Sequence, residues 1–115
     1  VEIDKYQQLA MRTAKTGDQI YDLRHAALGL ASETGEFTTT VKRMAIYDAP
    51  LTPEMVDNLL EELGDILWYV SLAANALEIR LSSVATANIS KLATRYPERY
   101  TNEAAEFRAD KQEQA

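Results

Sequence analysis

Residues 59–70 read LLEELGDILWYV, and residues 28–37 read LGLASETGEF. Both stretches place apolar side chains at steps of three and four, the spacing of a helix face, and neither alternates as a strand would. Each also carries two acids three residues apart, Glu33 with Glu36 and Glu62 with Asp65. At about 100° per residue, positions i and i+3 lie about 60° apart, so each helix directs two carboxylates to one side. The 25 residues between Glu36 and Glu62 suffice to finish one helix, turn and return antiparallel. Four acids then converge.

Working outward, the same spacing persists nearly everywhere, and three prolines and four glycines punctuate the chain. The expected fold is all-α, with four main helices forming a bundle that dimer or tetramer assembly completes. A first helix is expected over Ile3–Ala14, ended by KTGDQ, and a second over Asp22–Ala45, ended by IYDAPLTP. Thr52 followed by Pro53 is a start signal, since the Thr hydroxyl can cap free amides and Pro suits the first helical position. The third helix should run from there to Leu77, and the fourth over Ser83–Tyr96, where Pro97 stops it. One domain is expected over 1–100, with 101–115 a polar tail or short helix.

The net charge of −6 argues against nucleic-acid binding, which asks for a basic stripe that displaces counterions. Cysteine is absent, which removes disulfides, thiolate nucleophiles and zinc-thiolate sites, and one histidine is present. No charged leader precedes an apolar stretch and no run approaches the roughly 20 apolar residues that span a bilayer. The expectation is a cytoplasmic protein with no membrane or nucleic-acid partner.

Carboxylates on helices apolar on several sides face desolvation and mutual repulsion, which cost several kcal/mol per ion in a dry site. A cation relieves both. Oxygen donors without thiols or repeated histidines suit Mg²⁺ or Mn²⁺, and the lack of a Glu-x-x-His element argues against a di-iron centre. One isolated acid pair is ordinarily a solvated helix face; two matched pairs favour a site. Glu61, about 100° from Glu62, reads as a rim or surface acid. Gly29, Gly35 and Gly64 fall inside the same two helices, where each costs about 0.5–1 kcal/mol relative to Ala. All three are expected to mark close helix crossings.

ALGLASETGEF (27–37), EELGDILWYV (61–70) and ANISKLATRYPERY (87–100) together resemble the MazG-like branch of the all-α nucleoside triphosphate pyrophosphohydrolases, over roughly residues 5 to 100. That family's signature, Glu-x-x-Glu followed after a variable gap by Glu-x-x-Asp, is present in order. The resemblance implies that Glu33, Glu36, Glu62 and Asp65 bind Mg²⁺ and carry the catalysis. The implied reaction hydrolyses a (d)NTP to the monophosphate and pyrophosphate, as nucleotide-pool housecleaning, in a homodimer or homotetramer. The chain departs from the pattern at His25, where Asn is frequent, and at Ser32, where Gly or Glu is common. These changes spare the metal motif and bear on base selectivity.

With that resemblance, further residues become candidates for substrate binding. Asn88, Lys91 and Arg95 fall within about 60° of one another on the fourth helix, beside an apolar strip, where cations can reach a phosphate. Arg43 lies near the carboxylate arc two turns past Glu36, as a phosphate contact or a surface salt bridge. His25, two turns before Glu33, is a candidate for base or ribose contact, with a structural role as the alternative. Trp68 is expected to point away from Glu62 and Asp65 into core or interface packing, while Tyr69 is better aimed. Two other functions share these features: a dUTP- or dCTP-specific pyrophosphatase, and a helical oligomerisation module that binds nucleotide without turnover.

Overall fold

The computed structural model describes residues 1–112, and these form six helices: α1 (Ile3–Met11), α2 (Gln19–Tyr47), α3 (Pro53–Ala76), α4 (Leu81–Arg95), α5 (Asn102–Phe107) and α6 (Ala109–Gln112). The all-helical class follows the three-and-four spacing, and among the described residues no strand forms. Among the described residues no helix is long and apolar enough to cross a membrane. The chain divides into two compact units, the first over Val1–Arg80 and the second from Leu81 onward.

In the first unit α2 and α3 pack along their length and α1 lies against α3. Gln19 donates to the Ala76 carbonyl at 2.9 Å near one end, and Asn58 donates to Thr40 Oγ1 at 3.0 Å towards the other. Numbers rise along α2 as they fall along α3, so the two helices are antiparallel. The α3 start forms as its sequence dictates, with Thr52 Oγ1 accepting from the Met55 amide at 3.2 Å and Pro53 in the first turn. α2 begins three residues before the expected Asp22. Asp18 caps the Tyr21 amide at 2.8 Å, and Asp22 is buried and accepts from the Gly17 amide at 2.8 Å. The segment that reads as a helix breaker therefore supplies the cap that starts the next helix. At the far end Asp48 takes a left-handed conformation, φ 51°, and its amide closes on the Arg43 carbonyl.

α1 ends at Met11, short of Ala14. Polar contacts hold α1 and the turn after it to α3 and the segment that follows α3: the Trp68 indole N–H donates to the Ala10 carbonyl at 3.2 Å and to Thr13 Oγ1 at 2.9 Å, and buried Gln7 donates to the Ile79 carbonyl at 3.0 Å. In the second unit α4 is met by α5 and α6. Arg95 and Asp110 form a two-pronged ion pair there, Nε to Oδ1 at 3.0 Å and an Nη to Oδ2 at 3.2 Å. The stretch expected as a tail or short helix thus carries α5 and α6, and residues 113–115 of it lie outside the described residues.

Candidate active site

Along α2 the residues turned to α3 recur at helical spacing: Ala26, Gly29 and Thr40 are buried and Glu33, in line with them, is half-buried. Glu33 is therefore on the seam between the helices, where α3 presents Glu62 and Asp65. One carboxylate oxygen from each of Glu33, Glu62 and Asp65 lies within 4.8 Å of the others. Glu36 is exposed, and about 60° further round α2 it stands at the rim of this cluster. It still acts on Glu62 through a hydrogen bond and through its charge. Of the four acids expected to converge, Glu33, Glu62 and Asp65 are brought together, and Glu36 stands outside that three-oxygen cluster.

Crowding like charges in a partly desolvated seam disfavours ionisation. Burial first, and then the hydrogen bonds and charges of Glu33 and Glu36, push Glu62 up to about 7. Burial also raises Glu33; the Glu62 hydrogen bond lowers it partway, and the charges of Glu36 and Asp65 raise it further. Burial raises the Tyr6 hydroxyl on α1 as well, and the charge of Asp65 adds to it. Tyr6 is thereby a neighbour of the site that acid spacing had no means of revealing.

Glu33 Oε2 and Glu62 Oε2 are shielded from solvent and have no hydrogen-bond partner. A shielded acceptor without a donor is unfavourable, the more so when charged. Two acids that each keep such an oxygen, gathered with Asp65 and with no thiol or second histidine, form a hard-oxygen donor set. That set fits Mg²⁺ or Mn²⁺ in donor chemistry.

The acids open onto a cavity of about 300 Å³ lined by Glu33, Asp65, Trp68 and Tyr69. The expectation for Trp68 is corrected in part. Its N–H is engaged by α1, as packing requires, yet it also reaches the carboxylate cavity, because Asp65 and Trp68 are themselves i and i+3. Trp68 and Tyr69 meet edge to face at 4.9 Å, and His25 stands edge-on to Tyr69 at 5.7 Å and to Trp68 at 6.3 Å. The half-buried His25 has its Nδ1 shielded and without a partner. Gly29 makes the Tyr69 position possible, since a Cβ there would fall inside the ring. Gly35 and Gly64, also expected at close crossings, have nothing within 4 Å of such a Cβ.

Of the other candidates, Arg43 is exposed on α2 and forms no ion pair among the described residues. Asn88, Lys91 and Arg95 belong to α4 in the second unit, where Asn88 and Lys91 are exposed and Arg95 is committed to Asp110.

The raised Glu62 makes stability depend on pH. Between the ordinary carboxyl value of 4.5 and about 7, the folded chain holds a proton that the unfolded chain has released. The folded state then binds more protons, so stability falls as pH rises through that window and the penalty is complete above it. In metal-free protein the melting temperature of the native chain, relative to Glu62→Gln, is expected to decline from pH 4.5 to about 7. A difference that grows in favour of the native chain over that window would contradict the assignment.

A family model described as the MazG nucleotide pyrophosphohydrolase domain matches residues 23–100. The chain is also similar to the Gene 37 protein of Mycobacterium phage L5, with 38% identity over 101 residues, covering 83% of this chain and 89% of that protein. No solved structure matches it.

Proposed function

The chain belongs to the MazG nucleotide pyrophosphohydrolase domain family, and from that membership we propose a Mg²⁺-dependent hydrolase that cleaves (d)NTP between the α and β phosphates. The products are (d)NMP and pyrophosphate, and the role is housecleaning of the cytoplasmic nucleotide pool by a homodimer or homotetramer. The domain responsible spans 1–100.

The observation that carries the reading is the pair of shielded, partnerless oxygens on Glu33 and Glu62. Glu33, Glu62, Asp65 and, from the rim, Glu36 would hold the cation, with Mn²⁺ as an alternative. Bound there, such an ion supplies charge neutralisation for phosphates and a more acidic water. The chain's own part is to keep the donors preorganised on two rigid helices and to offer a carboxylate oxygen that accepts the water's proton. Trp68 and Tyr69 present flat rings beside Glu33 and Asp65, a wall suited to a nucleobase. His25 Nδ1, shielded next to those rings, can hydrogen-bond a base or ribose. Arg43 on α2 is proposed as a phosphate contact, and for Asn88, Lys91 and Arg95 of the second unit that role rests on the family resemblance alone. A phosphate reaching Arg95 meets the Asp110 carboxylate in the guanidinium fork and must displace or share it.

The test is release of pyrophosphate from the eight common ribo- and deoxyribonucleoside triphosphates, with Mg²⁺ and with chelator. Metal-dependent release together with the monophosphate is expected. Orthophosphate with the diphosphate would move the cleavage point, and turnover of dUTP or dCTP alone would narrow the enzyme to a specialist. Binding with no release would leave a nucleotide-binding module.

A further inference from the structure

We infer that Thr13, in the turn after α1, is a positioning residue for the nucleobase: its hydroxyl fixes the Trp68 indole as a wall of the carboxylate cavity. This rests on the proposed function in one respect, that the base lies against Trp68, and goes beyond it by bringing the end of α1 into substrate binding.

Trp68 and Tyr69 both line the cavity, and the two rings are set in different ways. Tyr69 is seated by shape, in the space that Gly29 leaves. Trp68 is half-buried, and shape alone leaves its plane loose, because the outer torsion of a tryptophan is broad. The indole N–H fixes that plane. Nε1 lies 2.9 Å from Thr13 Oγ1 and 3.2 Å from the Ala10 carbonyl oxygen. That carbonyl already accepts the Thr13 amide at 3.0 Å and the Thr13 hydroxyl at 2.7 Å, which occupies its two lone pairs. The Thr13 oxygen, by contrast, gives its one proton to Ala10 and keeps both lone pairs as acceptors. Thr13 is therefore the principal partner of the indole, and the bond it donates to Ala10 strengthens the one it accepts.

With Nε1 held by Thr13 and the Tyr69 ring edge to face at 4.9 Å, two contacts define the plane of the indole. The N–H is committed to the chain, so Trp68 offers the cavity carbon surface and no donor. Such a surface stacks on any base, since every base has a π-face, and Thr13 thereby governs affinity rather than base choice. Glu33, Asp65, Trp68 and Tyr69 line the cavity and Thr13 does not, so its effect on binding passes through Trp68. The carboxylates project from α2 and α3 without help from Thr13. Loosening the indole therefore acts on nucleotide binding and spares the chemical step.

The experiment compares the full chain with Thr13→Val, which keeps the shape and loses the hydroxyl, and Thr13→Ser, which keeps the hydroxyl. Trp68 is the chain's single tryptophan, so its fluorescence reports this ring alone. In Mg²⁺, each protein is titrated with the α,β-methylene analogues of dATP, dCTP, dGTP and dUTP, and KM and kcat are measured for the parent triphosphates. Saturation of the native chain is expected to change the emission. In Thr13→Val the half-saturating concentration and KM are expected to rise about threefold to tenfold, the loss of one neutral hydrogen bond, with kcat within about twofold of native. Thr13→Ser is expected to restore both. In a Trp68→Phe background, which has no N–H to hold, Thr13→Val is expected to change KM no further. Native half-saturation in Thr13→Val overturns the proposal, as does a loss that serine does not restore or that persists in the Trp68→Phe background. A lower melting temperature with binding unchanged overturns it too, by leaving Thr13 to the packing of α1. If Thr13→Val fails to fold, Thr13→Ala takes its place. A native chain that neither responds to any analogue nor turns over any triphosphate overturns the proposed function and this inference with it. A native response that Thr13→Val leaves intact overturns this inference alone.

Discussion

Glu62→Gln is expected to lower Mg²⁺-dependent pyrophosphate release by at least about 100-fold, the scale seen when a preorganised electrostatic group is removed from a reaction centre. The same change is expected to raise the melting temperature of metal-free protein at pH 8. Both effects follow from one geometry. Glu62 is pushed towards its neutral form first by burial and then by the hydrogen bonds and charges of Glu33 and Glu36, and its Oε2 has no partner in the folded chain. Above about pH 7 the native carboxylate is charged and repelled by its neighbours. An amide of the same shape is neutral and can donate an N–H to Glu33. Added Mg²⁺ should therefore raise the melting temperature of the native chain more than that of the variant. A variant that keeps its activity would show that the seam is not the reaction centre. A variant that loses both activity and stability would show that Glu62 is structural.

Gly29→Ala is expected to destabilise the fold by about 1–3 kcal/mol, although alanine is the better helix former. The added methyl would occupy the Tyr69 ring. That ring cannot swing aside freely, because Trp68 stands edge-on to it at 4.9 Å and His25 at 5.7 Å. Trp68 is in turn tied to α1 through Ala10 and Thr13, so the strain spreads across three helices. Gly35→Ala is the internal comparison. Nothing lies within 4 Å of the new methyl there, and the propensity gain of about 0.5–1 kcal/mol should appear as added stability. Urea denaturation of the pair checks this. Equal shifts in the two variants would remove the steric account of Gly29.

Much of the fold was legible because helices announce themselves locally. The apolar steps of three and four, the Thr52–Pro53 start and the Pro97 stop depend on neighbours in sequence, and α3 and α4 lie within two residues of their expected bounds. The early start of α2 was not legible, since Asp18 and Gly17 read as a break until Asp22 is seen folding back onto the Gly17 amide. The acid pairs were legible for the same local reason: i and i+3 share a side of a helix wherever that helix goes. Distances between helices are a different matter. The chain's spacing treats Glu33 and Glu36 as equals, whereas the packing register places Glu33 on the seam and Glu36 at its rim. The three helix-interior glycines also look alike in sequence, and only the rotation of α2 against α3 sets Gly29 under Tyr69 while Gly35 and Gly64 face open space.

By itself, then, the sequence determined what short-range geometry governs: the all-helical class, the sidedness of each acid pair, the absence of soft metal donors, and the family. Tertiary structure decided what depends on the rotation and register of one helix against another. It brought Trp68 and Tyr69 to the carboxylate cavity, set Tyr6 near Asp65, and joined the Trp68 indole to Thr13. Helical periodicity places a residue on a cylinder, and only the packing of two cylinders says which residue lies between them and which is left outside.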